Sequence, residues 1–308
     1  MKILVTGGAG YIGSILVPKL LKKGYMVTVV DDFRYGQTPL LEHCSNKKLA
    51  IIRGDARDKS LIQQQLKNAD VVFPLACLTG APICNANPVG ARTTNFEAVK
   101  MIVDLKSKNQ LLIFPSTQSV YGHQTKVCTE KTKPIPLSLY SKLKVDAENI
   151  ISDSDNWILF RLATVFGVSP RMRRDLLVND FTYRALYDKS TLLFEPHFRR
   201  DYLYIGDVAK AFIFCLENFK QLKEEIYNIK LSGVNLTKKE LCEEIKKQIP
   251  SFVFPEAAFS QDPDKRDYVV SSEKIEKAGF KATTSIQQGI SELIKGYQIA
   301  KINEYSNI

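Results

Sequence analysis

Two side chains in the segment "YSKLK" (140–144) have types suited to proton chemistry: Tyr140 and Lys144, four residues apart. On a helix that spacing puts both on one face, one turn apart. A phenol with its ordinary pKa of about 10 is a poor base at neutral pH, and bringing it to about 7 takes about 4 kcal/mol. An ammonium group nearby and a positively charged ring are opposite charges that favour the phenolate. Such a pair is suited to taking the O–H proton of an alcohol while its carbon gives up a hydride. The reaction needs a hydride acceptor and a further hydroxyl to orient the reacting oxygen. "STQSVYG" (116–122) offers such hydroxyls directly after a short apolar run, "LLIF" (111–114). Surface helices often carry Tyr and Lys at this spacing, so the pair acquires meaning only from its surroundings.

A hydride acceptor site is legible at the start of the chain. "KILVTGGAGYIGSILVPKLLKKG" reads as strand, glycine turn and helix, and its glycines fit both G-x-x-G-x-x-G (Gly7, Gly10, Gly13) and G-x-G-x-x-G (Gly8, Gly10, Gly13). Gly7 or Gly8 permits the tight turn, Gly10 lets backbone approach a pyrophosphate, and Gly13 lets helix approach strand. The helix start offers N–H groups to the phosphates. The next strand ends at Asp31, whose carboxylate can accept both hydroxyls of an adenosine ribose and would repel a 2′-phosphate, so NAD is expected rather than NADP. Asp32 can share that role, and Arg34 stands close by. Asp55 and Ala56 in "GDARD" (54–58) are read as flanking adenine, with a helix cap or turn as the other reading of Asp55.

The elements that must position these residues alternate. "KILVT" (2–6), "MVTVVD" (26–31), "LAIIRGD" (49–55), "ADVVFPLA" (69–76), "LLIF" (111–114) and "WILFRLA" (157–163) are short and apolar, and helical stretches at 11–23, 58–67, 91–106 and 138–151 separate them. Apolar strands alternating with helices predict an α/β fold with a doubly wound parallel sheet. After about residue 165 clear strands thin out, and helices are expected near 173–187, 206–218, 237–248 and 284–300. We therefore expect a dinucleotide-binding unit of residues 1–165 with about 200–230, and a smaller substrate lobe of 166–199 with 231–308. The lobe should lie over the carboxyl ends of the strands, where open α/β sheets bind ligands.

The composition, 44% hydrophobic and 25% charged over 308 residues, is that of a globular protein. No apolar run approaches the roughly 20 residues that span a bilayer, and "MKILVTGG" reaches its glycines too soon for a signal peptide. A cytoplasmic location is expected, with no membrane partner. Six cysteines are scattered without a CxxC pair, so neither a metal site nor a disulfide framework is expected. The net charge of +10 raises the question of nucleic acid, but apart from "RMRR" (171–174) the cations are spread along the chain. A phosphate-bearing small substrate accounts for them, and nucleic acid is not expected as a ligand.

The glycine turn, "STQSVYG" and "YSKLK" together resemble the extended short-chain dehydrogenase/reductases, the NAD-dependent epimerase/dehydratase family of nucleotide-sugar enzymes. The resemblance covers essentially the whole chain and includes "NFEAVK" (95–100) and "FRRDYLYIGDVAKAF" (198–212). It implies a Rossmann fold with NAD held by Gly7, Gly10, Tyr11, Ile12, Gly13, Asp31, Asp32, Asp55, Ala56, Leu75, Ala76, Asn95, Ser116, Tyr140 and Lys144. It places the catalytic hydroxyl on Thr117, opposite Tyr140 as base, with Ser119 either a turn residue or a substrate contact. It implies a homodimer paired through helices at 88–106 and 138–151. The family's hexose 4,6-dehydratases carry a carboxylate after the catalytic Thr. Here Gln118 and Ser119 stand there, and neither serves as a general acid or base near neutral pH. Oxidation at C4, epimerisation through a ketone, or ketone reduction remain.

For the substrate diphosphate, the resemblance points to Arg200 in "RRDY" and Arg266 in "DPDKRDY", with Arg171, Arg173 and Arg174 supplied by the loop after the sixth strand; of these, Arg173 is assigned to the substrate. Arginine suits the task because its fork binds phosphate oxygens in pairs. Several stretches, "RLATVFGVSPRMRRDLLVNDFTYRA", "HFRRDY", "DPDKRDY" and "LACLTGAPICNANP", resemble the GDP-D-glycero-α-D-manno-heptose 4-dehydrogenases of bacterial capsule assembly. That narrower likeness implies a GDP-linked sugar and a 4-keto product. Cys84 is expected to be a packed thiol.

Overall fold

A computed structural model describes residues 1–35, 39–257 and 267–299. Seven strands form one parallel sheet: β1 (Lys2–Thr6), β2 (Met26–Asp31), β3 (Leu49–Arg53), β4 (Val71–Pro74), β5 (Leu111–Thr117), β6 (Trp157–Leu162) and, past three short strands outside this sheet, β10 (Glu225–Ile229). The spatial order is β10-β6-β5-β4-β1-β2-β3. All neighbouring pairs are parallel, so the chain winds one way from β1 to β3 and the other way from β4 onward. The winding reverses between β1 and β4, which opens a crevice beyond their carboxyl ends.

Burial explains why these runs become strands. Every residue of β4 and of β6 is buried, as expected for parallel strands covered on both faces. One face packs Val5, Val29, Phe73 and Phe160 against the helices Gly13–Lys22 and Ile205–Glu217. The other packs Leu4, Val72, Phe114 and Leu159 against Lys59–Leu66, Ala98–Leu105 and Leu139–Ser152. β3 is one of the two edge strands and leaves Ala50, Ile51 and Arg53 exposed.

A second apolar cluster, with Phe166, Tyr202, Leu241, Ile290 and Leu293, lies outside the sheet. It is framed by β7 (Thr164–Phe166), β8 (Leu193–Phe194), β9 (Arg199–Tyr204), β11 (Asn235–Thr237), β12 (Glu256–Ala257) and the helices Leu177–Tyr187, Lys238–Gln248 and Ile286–Ile299. The order β11-β9-β7 makes a small sheet of three. Two local differences from the sequence reading stand out. A seventh strand, β10, joins the six expected ones: "EIYNI" has no periodicity of its own and forms along the edge of β6. The helix expected over 91–106 instead comprises Pro88–Arg92, a π turn Thr93–Glu97 and Ala98–Leu105. No helix of the described residues is long and apolar enough to cross a membrane.

Candidate active site

An open cleft of about 690 Å³ lies at the β1/β4 switch point. Gly7, Gly10, Asp31, Asp32, Asp55, Ala56, Leu75 and Ala76, eight of the residues expected at the cofactor, line it. Gly7 has φ +71°, and a Cβ there would stand 2.5 Å from the Ala76 nitrogen. Only glycine lets the exits of β1 and β4 meet so closely. A Cβ on Gly13 would lie 2.4 Å from the Gly8 carbonyl oxygen, so glycine also sets the helix directly beneath the turn. A side chain at either position would push apart the backbone segments that form the turn.

The carboxylate of Asp31 is held from two sides. Oδ2 accepts from the Ala9 N–H and Oδ1 from the Phe33 N–H, each at 2.9 Å. Burial pushes its pKa up, against the pull of those two donors. Asp32 pairs with Arg34 (Oδ2 to Nε, 2.7 Å), so Arg34 is engaged by the carboxylate next to Asp31. Asp55 accepts from the Arg57 N–H (2.9 Å) and side chain, whose hydrogen bonds hold its carboxyl below the ordinary value. The cap of the following helix is Asp58, which accepts from Ser60 and Leu61 N–H; Asp55 is therefore a turn residue on the cleft wall. Glycine turn, helix start, fixed carboxylate and the apolar wall of Val30, Leu75, Ala76 and Leu78 together fit an adenine dinucleotide. Asp31→Asn should weaken NAD binding tenfold or more and narrow the preference over NADP, since hydrogen bonds to a charged acceptor contribute about 1.5–3 kcal/mol. Titrating the variant with both dinucleotides checks this, and an unchanged NAD/NADP ratio would contradict it.

Beside the cleft, β5 ends at Thr117 and a 3₁₀ turn, Gln118–Tyr121, follows. The Thr117 hydroxyl donates to Ser119 Oγ (2.9 Å) and accepts the Ser119 N–H (3.1 Å). It thus shapes the turn at the strand end, where it remains half-buried. Gln118 is fully buried, and neither atom of its amide finds a partner among the described residues.

The helix Leu139–Ser152 starts in a capping box between Ser138 and Ser141. Tyr140, Lys144 and Glu148 follow at steps of four along it. The Tyr140 ring packs with Leu78, Cys84 and Leu143. Lys144, 3% exposed, donates from Nζ to the Pro115 carbonyl (2.8 Å) and sits 4.2 Å from the Phe114 ring centroid. Its ammonium is therefore tied to β5, two residues before Thr117.

Further residues that sequence reasoning missed lie behind this helix. Glu148 forms a buried ion pair with Arg161 of β6, Oε2 to Nη2 at 2.6 Å, and also accepts from the Ser116 hydroxyl. Arg161 goes on to the Tyr121 phenol oxygen (3.1 Å), and Tyr121 donates to Asn228 of β10 (2.7 Å). Burial alone would lower the Arg161 pKa, but Glu148 outweighs it and the guanidinium stays charged. Ser116, expected at the cofactor, gives its hydroxyl to this network. The step of four from Lys144 to Glu148 was the available signal.

Asn95 sits in the π turn and takes both backbone groups of Leu78: Oδ1 accepts its N–H and Nδ2 donates to its carbonyl, each at 2.8 Å. It thereby fixes a stretch of cleft wall from behind. Nδ2 also reaches the sulfur of Cys84 at 3.6 Å. Cys84 is fully buried, and burial pushes its thiol up to about 12, a packed and unreactive state.

Tyr11 reaches away from the turn toward the elements around the second apolar cluster. Its phenol donates to the Gly167 carbonyl (2.7 Å) and accepts from Asn179 Nδ2 (3.3 Å). Ile12 precedes the helix Gly13–Lys22 as its N-cap. Arg173 is buried, paired with Asp175, and donates to the Thr79 carbonyl (3.2 Å); Tyr140 is among the neighbouring groups that favour its charged form. The "RMRR" cluster is thus loop rather than the first turn of the expected helix, which begins at Leu177. Arg200 lies in β9, 2% exposed, donating to the Arg199 carbonyl (2.8 Å). Arg266 lies outside the described residues.

A doubly wound sheet with a dinucleotide cleft at its switch point, and a Tyr–Lys helix alongside, defines a nicotinamide-dependent oxidoreductase. The profile of the NAD dependent epimerase/dehydratase family matches residues 3–229, and the chain belongs to that family, with NAD as its cofactor. The uncharacterized UDP-glucose epimerase YtcB of Bacillus subtilis is 33% identical over 230 residues, covering 68% of this chain and 71% of YtcB. UDP-glucuronic acid decarboxylase 1 of Arabidopsis thaliana is 28% identical over 324 aligned positions, covering 99% of this chain and 71% of its own. The crystal structure of UDP-glucuronic acid 4-epimerase from Bacillus cereus, in complex with UDP-glucuronic acid and NAD, superposes with a TM-score of 0.86 at 26% identity. It covers 97% of this chain and 100% of that one.

Proposed function

We propose that the protein oxidises the C4 hydroxyl of a nucleotide sugar to a 4-keto sugar, with GDP-D-glycero-α-D-manno-heptose as the substrate to try first. Bound NAD supplies the hydride acceptor. Tyr140 takes the hydroxyl proton at its phenolic oxygen, Lys144 favours the phenolate electrostatically and holds the nicotinamide ribose, and Thr117 orients the reacting oxygen. Arg173 and Arg200, with Arg266, bind the substrate diphosphate as forked cations. Residues 1–165 with about 200–230 carry the cofactor, while 166–199 with 231–308 carry the nucleotide sugar. The product would serve capsule or other surface polysaccharide synthesis, and the active unit would be a cytoplasmic homodimer.

One observation carries the choice of oxidation without dehydration. Thr117 is followed by Gln118 and Ser119, so the strand end that presents the catalytic hydroxyl supplies no carboxylate for eliminating water. A second reading, a 4-epimerase that keeps its NAD, is favoured by the names of YtcB and the Bacillus cereus enzyme. Incubation with NAD and either GDP-manno-heptose or UDP-glucose separates the two. A ketone formed with stoichiometric NADH supports the dehydrogenase, whereas the inverted alcohol without net NADH supports the epimerase. If neither substrate is altered, both readings fail.

A further inference from the structure

Arg171 is a residue of the second lobe's loop, yet it lines the dinucleotide cleft together with Gly7, Gly10 and Asp31. The loop reaches the glycine turn through paired hydroxyls. Ser169 Oγ lies 2.7 Å from Ser14 Oγ and donates to the Tyr11 carbonyl (2.8 Å), and the Arg171 N–H approaches Ser14 Oγ at 3.4 Å. Ser14 is in the first turn of the helix Gly13–Lys22, so these contacts set the Arg171 backbone beside the helix start that faces a bound phosphate. From there the side chain crosses the cleft wall. Its guanidinium lies 3.9 Å from the Tyr35 ring centroid, and Nη1 donates to the Met172 carbonyl (2.9 Å).

The cation is 2% exposed. Burial, and after it the charge of Arg173, press against its protonated form, while Tyr35, Asp175 and Asp31 favour it. An anion arriving in the cleft would add to the second group. The anionic part of a dinucleotide is its diphosphate, and the glycine turn at the helix start is where that group docks.

We propose that Arg171 binds the diphosphate of the cofactor from across the lobe boundary, so that the second lobe helps hold the dinucleotide. The guanidinium fork supplies two N–H donors to phosphate oxygens, which the glycine turn meets from the opposite side with backbone N–H groups. Stacking on Tyr35 fixes the fork before the ligand arrives, which reduces the ordering cost of binding. The role does not depend on which nucleotide sugar is the substrate.

Calorimetric titration of wild type and Arg171→Met with NAD, ADP-ribose and adenosine tests it. NAD and ADP-ribose, which share the diphosphate, should each bind about 10- to 100-fold more weakly to the variant, the span set by hydrogen bonds to a charged group. Adenosine, measured by competition, should change by less than about twofold. Arg171→Gln keeps a donor for the Met172 carbonyl, and it carries the same expectation if Arg171→Met does not fold. Unchanged NAD affinity would overturn the proposal. So would an equal loss for adenosine, because Arg171 would then only shape the nucleoside pocket through Tyr35. A wild-type protein that does not bind NAD would overturn it together with the cofactor assignment.

Discussion

Tyr140→Phe should lower turnover by about 10³-fold, within the 10²- to 10⁴-fold that a positioned base contributes, while NAD affinity changes by less than about threefold. The substitution removes one oxygen and keeps the ring that packs with Leu78, Cys84 and Leu143. The cleft wall at Leu78 is fixed independently by Asn95 and is left in place. Loss of rate with retained cofactor thus isolates the phenol. Lys144→Met makes a different variant, because it also leaves the buried Pro115 carbonyl without its donor, at a cost of about 1–3 kcal/mol. Its lost activity would mix chemistry with a displaced β5. Single-turnover measurement with NAD bound distinguishes them, and a Tyr140→Phe enzyme as fast as wild type would remove the base assigned here.

How far the sequence carried the fold and the site depended on the range of the signal. The first six strands were legible because each is a short apolar run set between helical stretches, and covered parallel strands need nothing else. The glycine turn and Asp31 were legible because the whole device lies within one βαβ unit, so spacing along the chain is spacing in the cleft. β10 was not, since "EIYNI" is defined by the edge of β6 that it covers rather than by its own pattern. The π turn at Thr93–Glu97 was hidden for a similar reason. Its register serves Asn95, whose partner Leu78 lies 17 residues away. Arg171 and Arg173 show the limit most plainly. In "RMRR" the arginines are equivalent cations, but the fold sends Arg171 to the dinucleotide cleft and pairs Arg173 with Asp175 near Tyr140.

The same distinction decides what Glu148 should do when altered. Glu148→Leu leaves Arg161 charged in a site where both side chains are 4% exposed. Breaking a buried pair from one side costs about 3–5 kcal/mol, which corresponds to a fall in melting temperature on the order of 10 °C for a chain of this size. Removing both charges in Glu148→Leu/Arg161→Met should restore most of that stability, because no unpaired ion remains. Activity should not return with it. Glu148 joins the helix that carries Tyr140 and Lys144 to Ser116 on β5 and to Arg161 on β6, and Arg161 extends the tie through Tyr121 to β10. Two apolar side chains fill the space but leave the Ser116 hydroxyl and the Tyr121 phenol without those partners. The helix can then settle against β5 at a slightly different height, and a misplacement of about 1 Å at reacting atoms can cost about 10²-fold in rate. A double variant that melts near wild type but turns over slowly would separate the positioning of Tyr140 and Lys144 from stability. Full activity in the double variant would reduce the ion pair to a structural strut.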